Sequence, residues 1–493
     1  MIRTILAVPL AMAAPLAAQR TPAPPPPAVT TDAYRGAAAA TVERMAREWP
    51  IERRARNVIV FVGDGMGVST QTAARIHQGQ RAGVDGESYV TAMDRLPHAA
   101  LVRTYSHDTQ VADSAPTATA ILAGVKTRND VIGIGPEVAI GDCAGSRAHG
   151  VESLFGIAQR LGRATGIVST ARITHATPAA AYAHTPQRDW EADANLDERS
   201  RREGCVDIAR QLVEGSVGSR LDVVLGGGRA NFFPAATADP EYPELRGRRT
   251  DGRDLAAEWR RRHPDGSYIQ DSRGFAALKP TGPVLGLFDP DHMKYEADRA
   301  RDPAGEPSLA DMTAVAIKRL SARKGGFVLL VEGGRIDHAH HAGNARRALE
   351  EAVALDEAVA RAAAATDPRE TLILVTADHS HTLSISGYPA RGNPILGVAA
   401  DATGKPILAA DGKAYTTLGY ANGSGATGAV RADPTSADPT GLDFRQQALV
   451  PLGSETHGGE DVAVRSSGPM AHLFRGTIEQ HVIFHIVKHA LTR

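Results

Sequence analysis

FVLLVEGGRIDHAHH, residues 327–341, begins as five apolar residues and ends as a cluster of acids and imidazoles. A run that short, apolar at every position, suits a strand buried on both faces. Gly333 and Gly334 end it. Asp337 and His341 then lie four apart, so one helical turn would put both on one face. The same order recurs along the chain. Val58 to Val62 runs into GDGMG at 63–67, which carries Asp64. Thr165 to Ser169 leads to HATP at 175–178, and Thr371 to Thr376 runs into ADHSH at 377–381. Val223 to Leu225 is a further run, and Ala-rich helical stretches such as Val151 to Gly162 and Ala345 to Ala365 lie between them. This alternation predicts a three-layer α/β fold with a large, mostly parallel central sheet flanked by helices.

In open α/β sheets the carboxyl ends of the strands form the ligand crevice. Four strand ends here would deliver Asp, Glu, His and Thr to one rim. Unpaired carboxylates crowded there would repel, so the pattern predicts a metal site. Mixed Asp and His suits Zn²⁺; carboxylate, hydroxyl and water suit Mg²⁺. Two cysteines cannot build a thiolate site. DSAPTATA at 113–120 offers a nucleophile: Ser114 precedes Pro116 and a run of small residues, which reads as a helix start. Backbone N–H groups there favour an anion such as phosphate. The alternative is that Ser114 only caps the helix.

The 493 residues are 42% hydrophobic, enough for a large core. With 55 basic and 56 acidic residues the net charge is −1. That balance excludes a chain built to bind nucleic acid through excess charge. An anionic substrate must therefore be drawn by a local site. Residues 1–18 read as a signal peptide, apolar from Ile5 and ending in small residues. A Pro-rich tether and an N-terminal helix are expected over 19–50 and a catalytic core over 51–382, with a loop-rich, charged insertion at about 234–310. A second, crown-like insertion with short antiparallel strands is expected over 383–453. The rest of the core follows over 454–493. HIVKHALTR at 485–493 lacks the tail of a lipid-anchor signal, so no membrane anchor is expected. The protein is expected to be periplasmic or secreted. In that compartment the pair Cys143 and Cys205 is expected to form a disulfide.

Together these motifs, with VEG at 331–333 and ETHGGED at 455–461, resemble the alkaline phosphatases from about Asn57 to the C-terminal helix. HATP at 175–178, RIDH at 335–338 and EDVAV at 460–464 look more like the animal-type branch than the enteric bacterial type. The resemblance implies hydrolysis of small phosphate monoesters, with broad specificity, through a phosphoserine on Ser114. It implies one Zn²⁺ on Asp337, His341 and His457, a second on Asp64, Asp378 and His379 beside Ser114, and a Mg²⁺ on Asp64, Glu332 and Thr177. It implies that Arg188 clamps the phosphate. By pattern alone Arg188 is one basic residue among 55, and His457 is an ordinary loop histidine.

His175 and His338 stand where the enteric type has an acid and a lysine, so a bound water is expected between His175 and the Mg²⁺. Asp113 is placed with them, behind the ligands. The animal-like segments imply a Ca²⁺ held by Glu241, the Phe288 carbonyl, Asp289 and Glu306, and the family resemblance implies a homodimer with the crown-like insertion near its interface. A phosphodiesterase or a sulfatase could share such a metal rim. Ala118 stands where sulfatase-type nucleophile loops carry Arg, which counts against the latter. A non-catalytic phosphate or metal scavenger would not need Ser114.

Overall fold

The computed structural model describes residues 30–426 and 430–493. The expected signal peptide and the Pro-rich stretch at 21–28 lie outside them. A helix at Thr31–Ala46 comes first and has no buried residue. Fifteen strands follow among the described residues: β1 (Asn57–Gly63), β2 (His98–Arg103), β3 (Ala164–Arg172), β4 (Val223–Gly227), β5 (Ser267–Ile269), β6 (Val284–Leu287), β7 (Phe327–Gly333), β8 (Thr371–Ala377), β9 (Ser380–His381), β10 (Leu383–Ile385), β11 (Leu418–Gly423), β12 (Ala448–Pro451), β13 (His457–Gly458), β14 (Val462–Ser467) and β15 (Thr477–Glu479).

Ten strands form one sheet in the order β15-β2-β14-β8-β1-β7-β3-β4-β6-β5. β14 alone runs against its neighbours β8 and β2; every other pairing in this sheet is parallel. Every residue of β7 and β8 is buried, as expected of parallel strands covered on both faces. One covering layer holds the helices Val68–Arg81, Leu309–Ser321 and Ala345–Ala365; the other holds Ser114–Ala123, Leu154–Arg160 and Val482–Thr492. The helix Ala345–Ala365 shows why these segments are helical. Asn344 caps it through its side chain, and Ala345, Ala348, Leu349, Ala352, Leu355, Val359 and Ala362 bury one stripe at helical spacing.

Register aligns the site. Gly63 sits level with Gly333 on one side and Ala377 on the other, and Ser169 sits level with Glu332. The residues just beyond these positions therefore share one rim. Two sequence expectations need correction. The 234–310 segment is not purely an insertion, because β5 and β6 lie within it and complete one edge of the main sheet. β6 is only four residues long, and charged loops on both sides hide its pattern. In the crown-like segment, β10 and β11 pair antiparallel as expected, but β12 joins β11 in parallel.

Cys143 and Cys205 are bonded, with Cα atoms 5.8 Å apart, and stand 62 positions apart in sequence. Closing a loop of that length stabilises by roughly 4 kcal/mol in the chain-entropy model. Replacing both cysteines by serine should therefore lower the urea unfolding midpoint, up to that energy. An unchanged midpoint would show that the unfolded chain gains nothing from the link.

Candidate metal centre

The helix Arg335–His341 carries Asp337 and His341, and β13 carries His457. Asp337 Oδ1 lies 3.3 Å from His341 Nε2 and 3.3 Å from His457 Nε2, and the two nitrogens are 3.1 Å apart. A tetrahedral ion with bonds of about 2.0–2.1 Å spaces its ligand atoms by about 3.3 Å. These three atoms thus stand as corners of one tetrahedral face. The opposite ring nitrogens face carbonyls: His341 Nδ1 is 2.6 Å from the Glu455 oxygen and His457 Nδ1 is 2.9 Å from the Ala112 oxygen. Each Nδ1–H donates there, which leaves the Nε2 lone pair free for a cation.

The second group joins Asp64, just beyond β1, to Asp378 and His379, just beyond β8. His379 Nε2 is 3.3 Å from Asp64 Oδ1 and 3.4 Å from Asp378 Oδ2. Ser114 Oγ completes the set, 3.0 Å from His379 Nε2 and 3.3 Å from Asp64 Oδ1. Asp113, not Ser114, caps the helix Ser114–Ala123 by accepting from the Ala115 N–H. The Ser114 hydroxyl therefore points into the acid–imidazole cluster rather than back onto its own helix. Gly65 has a left-handed φ of 67°. A Cβ there would meet the His381 ring at 2.4 Å, so glycine is required where the chain passes that imidazole.

Three oxygens mark a third position. Asp64 Oδ2, Glu332 Oε1 and Thr177 Oγ1 are buried without a hydrogen-bond partner. Buried polar atoms are seldom left so, and this donor set of two carboxylates and a hydroxyl suits a hard divalent cation. The charges agree. Burial, with Asp378 and Asp337 nearby, pushes the Asp64 carboxyl well above the usual range. Burial pushes Glu332 up to about 7. Burial works against a charged His379, but Asp378 and Asp64 overcome it and push that ring up to about 10. His341 is pushed up to about 9 against burial by Asp337. Asp337 is held well below the carboxylate range despite burial, because His341, His381 and His457 all face it.

Arg188 reaches this rim. Its Nη1 contacts the Asp113 carboxylate and its Nη2 is 2.8 Å from His175 Nε2. His175 groups with Asp64 and Glu332, and also with His338 and His292. Burial, reinforced by Arg188, keeps His175 neutral, well below its ordinary pKa, and burial pushes His338 down to about 3. Arg335 Nη1 lies 3.3 Å from His338 Nδ1.

The sequence reading gave no role to His292, His381 or Glu455. His381 Nε2 is 2.8 Å from Asp337 Oδ1, and its Nδ1 is 2.5 Å from Glu455 Oε2. The alternation in ADHSH was a signal for His381; nothing local marks Glu455 or His292.

Away from the rim, Asp289, Asp302 and Glu306 form another carboxylate group. Asp302 Oδ2 and Glu306 Oε1 are buried without partners, and burial pushes Glu306 up to about 8. Lys294 Nζ is 2.7 Å from Asp289 Oδ2. Glu241 is engaged elsewhere, by Arg229 Nη2 at 3.1 Å and the Ala304 N–H at 3.0 Å. Phe288 follows β6 directly, beside Asp289, and donates its N–H to the Gly226 carbonyl.

The alkaline phosphatase family model matches residues 55–493. The tissue-nonspecific alkaline phosphatase of Gallus gallus is 46% identical over 447 residues, covering 88% of this chain and 84% of that protein. The alkaline phosphatase of Gadus morhua is 44% identical over 448 residues, covering 89% and 92%. Among solved structures, the Thermus thermophilus alkaline phosphatase superposes with a TM-score of 0.63 at 25% identity, over 91% of this chain and 93% of that one. The enzyme from the Antarctic bacterium TAB5 shares the fold, with a TM-score of 0.60 at 22% identity over 89% of this chain and 99% of that one. With the strand order and the metal rim in place, these matches show that the chain belongs to the alkaline phosphatase family.

Proposed function

We propose that the protein hydrolyses phosphate monoesters through a phosphoserine formed on Ser114, with two Zn²⁺ and one Mg²⁺ held at the rim. The observation that carries this reading is the Ser114 hydroxyl, 3.0 Å from His379 Nε2 and 3.3 Å from Asp64 Oδ1 at the start of a helix. Asp337, His341 and His457 would hold one zinc; Asp64, Asp378 and His379 the other, beside Ser114. Asp64, Glu332 and Thr177 would hold magnesium, with His175 reaching it through water. The near-3.3 Å ligand spacings and the three unpartnered oxygens support that division. When bound, such ions lower the pKa of hydroxyl and water and neutralise phosphoryl oxygens.

The residues of the chain do the rest. Ser114 Oγ forms the bond to phosphorus as the ester P–O bond breaks and the alcohol leaves. The start of Ser114–Ala123 lies at the phosphoryl end, where the helix dipole favours negative charge; its Ala115 N–H is given to Asp113 and Pro116 has none, so the side chains carry the direct contacts. Arg188, its fork oriented by Asp113 and His175, presents two donors to the non-bridging oxygens. Water then cleaves the phosphoserine, releasing phosphate and restoring the hydroxyl. All these groups address the phosphoryl end, so the alcohol is weakly selected and specificity is broad.

The reading also includes a Ca²⁺ at Asp289 and Glu306. Asp302 would be the further carboxylate there, since Glu241 is tied to Arg229. It includes export to the periplasm or medium; among the described residues no helix is long and apolar enough to cross a membrane. It includes a homodimer meeting at the crown-like insertion, where Tyr388, Leu449, Val450 and Leu452 are exposed.

Ser114→Ala should abolish the acid-stable phosphoenzyme formed with a labelled aryl phosphate and cut turnover by on the order of 10³-fold or more. Wild-type turnover in that variant would remove Ser114 as nucleophile. Metal removal should be pH-dependent. Glu332 is raised from 4.5 to about 7, so the stability that depends on its neutral form is lost as pH climbs through that window. His379 and His341 are raised from 6.5 to about 10 and about 9, so their contribution fades as pH passes those values. These three groups cost the chelated protein stability between pH 5 and pH 9, while His175 and His338, held neutral in the fold, act the opposite way near pH 5. Restored Zn²⁺ and Mg²⁺ should raise the midpoint most at pH 9. Equal metal gains at both pH values would contradict this charge balance.

A further inference from the structure

Glu455 is 1% exposed and joins the two ends of the crown-like insertion at the metal rim. The chain leaves the core just past His381 and returns two residues before His457. Glu455 Oε1 accepts from the Thr382 N–H and the Thr382 hydroxyl, both at 2.7 Å. Its Oε2 accepts from His381 Nδ1–H at 2.5 Å. Its carbonyl accepts from His341 Nδ1–H at 2.6 Å, and its N–H donates to the His341 carbonyl at 3.0 Å. His381 in turn reaches Asp337 Oδ1 at 2.8 Å.

We infer that Glu455 is a positioning residue for the Asp337–His341–His457 site, aiming Asp337 through His381 and His341 through its own carbonyl. This rests on the zinc assignment proposed above. Two carboxylates flank the His381 ring, Glu455 at Nδ1 and Asp337 at Nε2, so Glu455 sets the angle at which that ring meets Asp337; its carbonyl fixes the orientation and tautomer of His341. The geometry makes the effect selective. In the neighbouring Asp64–Asp378–His379 site, His379 Nδ1 faces the Ser380 carbonyl at 3.2 Å, and Asp378 Oδ1 accepts from the Gly65 and His379 N–H groups. The placement also couples the site to the seat of the insertion. From β11, Tyr420 contacts His340 at 2.8 Å, and the His340 ring lies 4.7 Å from that of His381.

The test is zinc retention by the full-length protein in graded zinc buffers, read by elemental analysis for wild type, Glu455→Gln, Glu455→Ala and Asp337→Asn. Turnover and the melting midpoint of the chelated protein are measured alongside. Both Glu455 variants should release one zinc at a 10- to 100-fold higher free-zinc concentration than wild type, and keep the other unchanged. Excess zinc should restore much of their turnover. If Glu455→Ala folds poorly when metal-free, Glu455→Gln, which keeps an acceptor for Thr382, decides the outcome. Wild-type retention of both ions, or parallel loss of both, overturns the inference. Asp337→Asn separates the two claims: if it too keeps both zincs, the zinc assignment has failed. If it loses one while the Glu455 variants lose none, only the role of Glu455 has failed.

Discussion

Four carboxylates, Asp64, Glu332, Asp337 and Asp378, sit buried at the ends of three adjacent strands, and their mutual repulsion is the constraint on which the rest of the site depends. Ionised carboxylates are costly to bury without compensating charge. The fold answers in two ways. Around Asp337 it gathers three imidazoles, enough to hold that carboxyl well below its ordinary range. Around Asp64 and Glu332 it supplies less, and both are driven upward by burial. The shortfall is the place where positive charge from outside the chain is needed, and there the unpartnered oxygens collect.

The scaffold fixes this arrangement through backbone rather than side-chain adaptability. β1, β7 and β8 end in step, so the residues after them reach the same height. The adjoining helices then set direction. Asp337 and His341 project from a single turn, and the Asp113 cap frees the Ser114 hydroxyl to face the acids. Gly65 lets the chain pass the His381 ring without collision. Sites held by buried strands and short helices are more exact than sites held by loops, and the proposed two-ion clamp would depend on that exactness.

The periphery is connected to this centre. The crown-like segment interrupts the core between His381 and His457, two residues paired across β9 and β13. Glu455 closes that interruption. The Arg188 loop lies near the Cys143–Cys205 link, whose cysteines pack with Trp190. An addition that enters and leaves beside the His381 and His457 imidazoles is poorly placed to move without moving them.

Much was legible from the sequence alone, because some signals are local. Short apolar runs followed by Asp, Glu or His fixed the α/β class, the parallel strands and the rim on which Asp64, Glu332, Asp337, Asp378 and His379 meet. Spacing paired Asp337 with His341. β5 and β6 escaped because edge strands of three or four residues carry too little pattern to stand out among charged loops. Arg188 and His457 were selected only by family resemblance, since one arginine or one loop histidine has no local signature. His381, His292 and Glu455 acquired meaning only from distances across the folded chain. The sequence determined which side chains stand at strand ends, since burial and periodicity act over neighbouring residues. Tertiary structure alone decided which of them share a centre and which atoms are left without partners, because that depends on contacts between segments far apart in the chain.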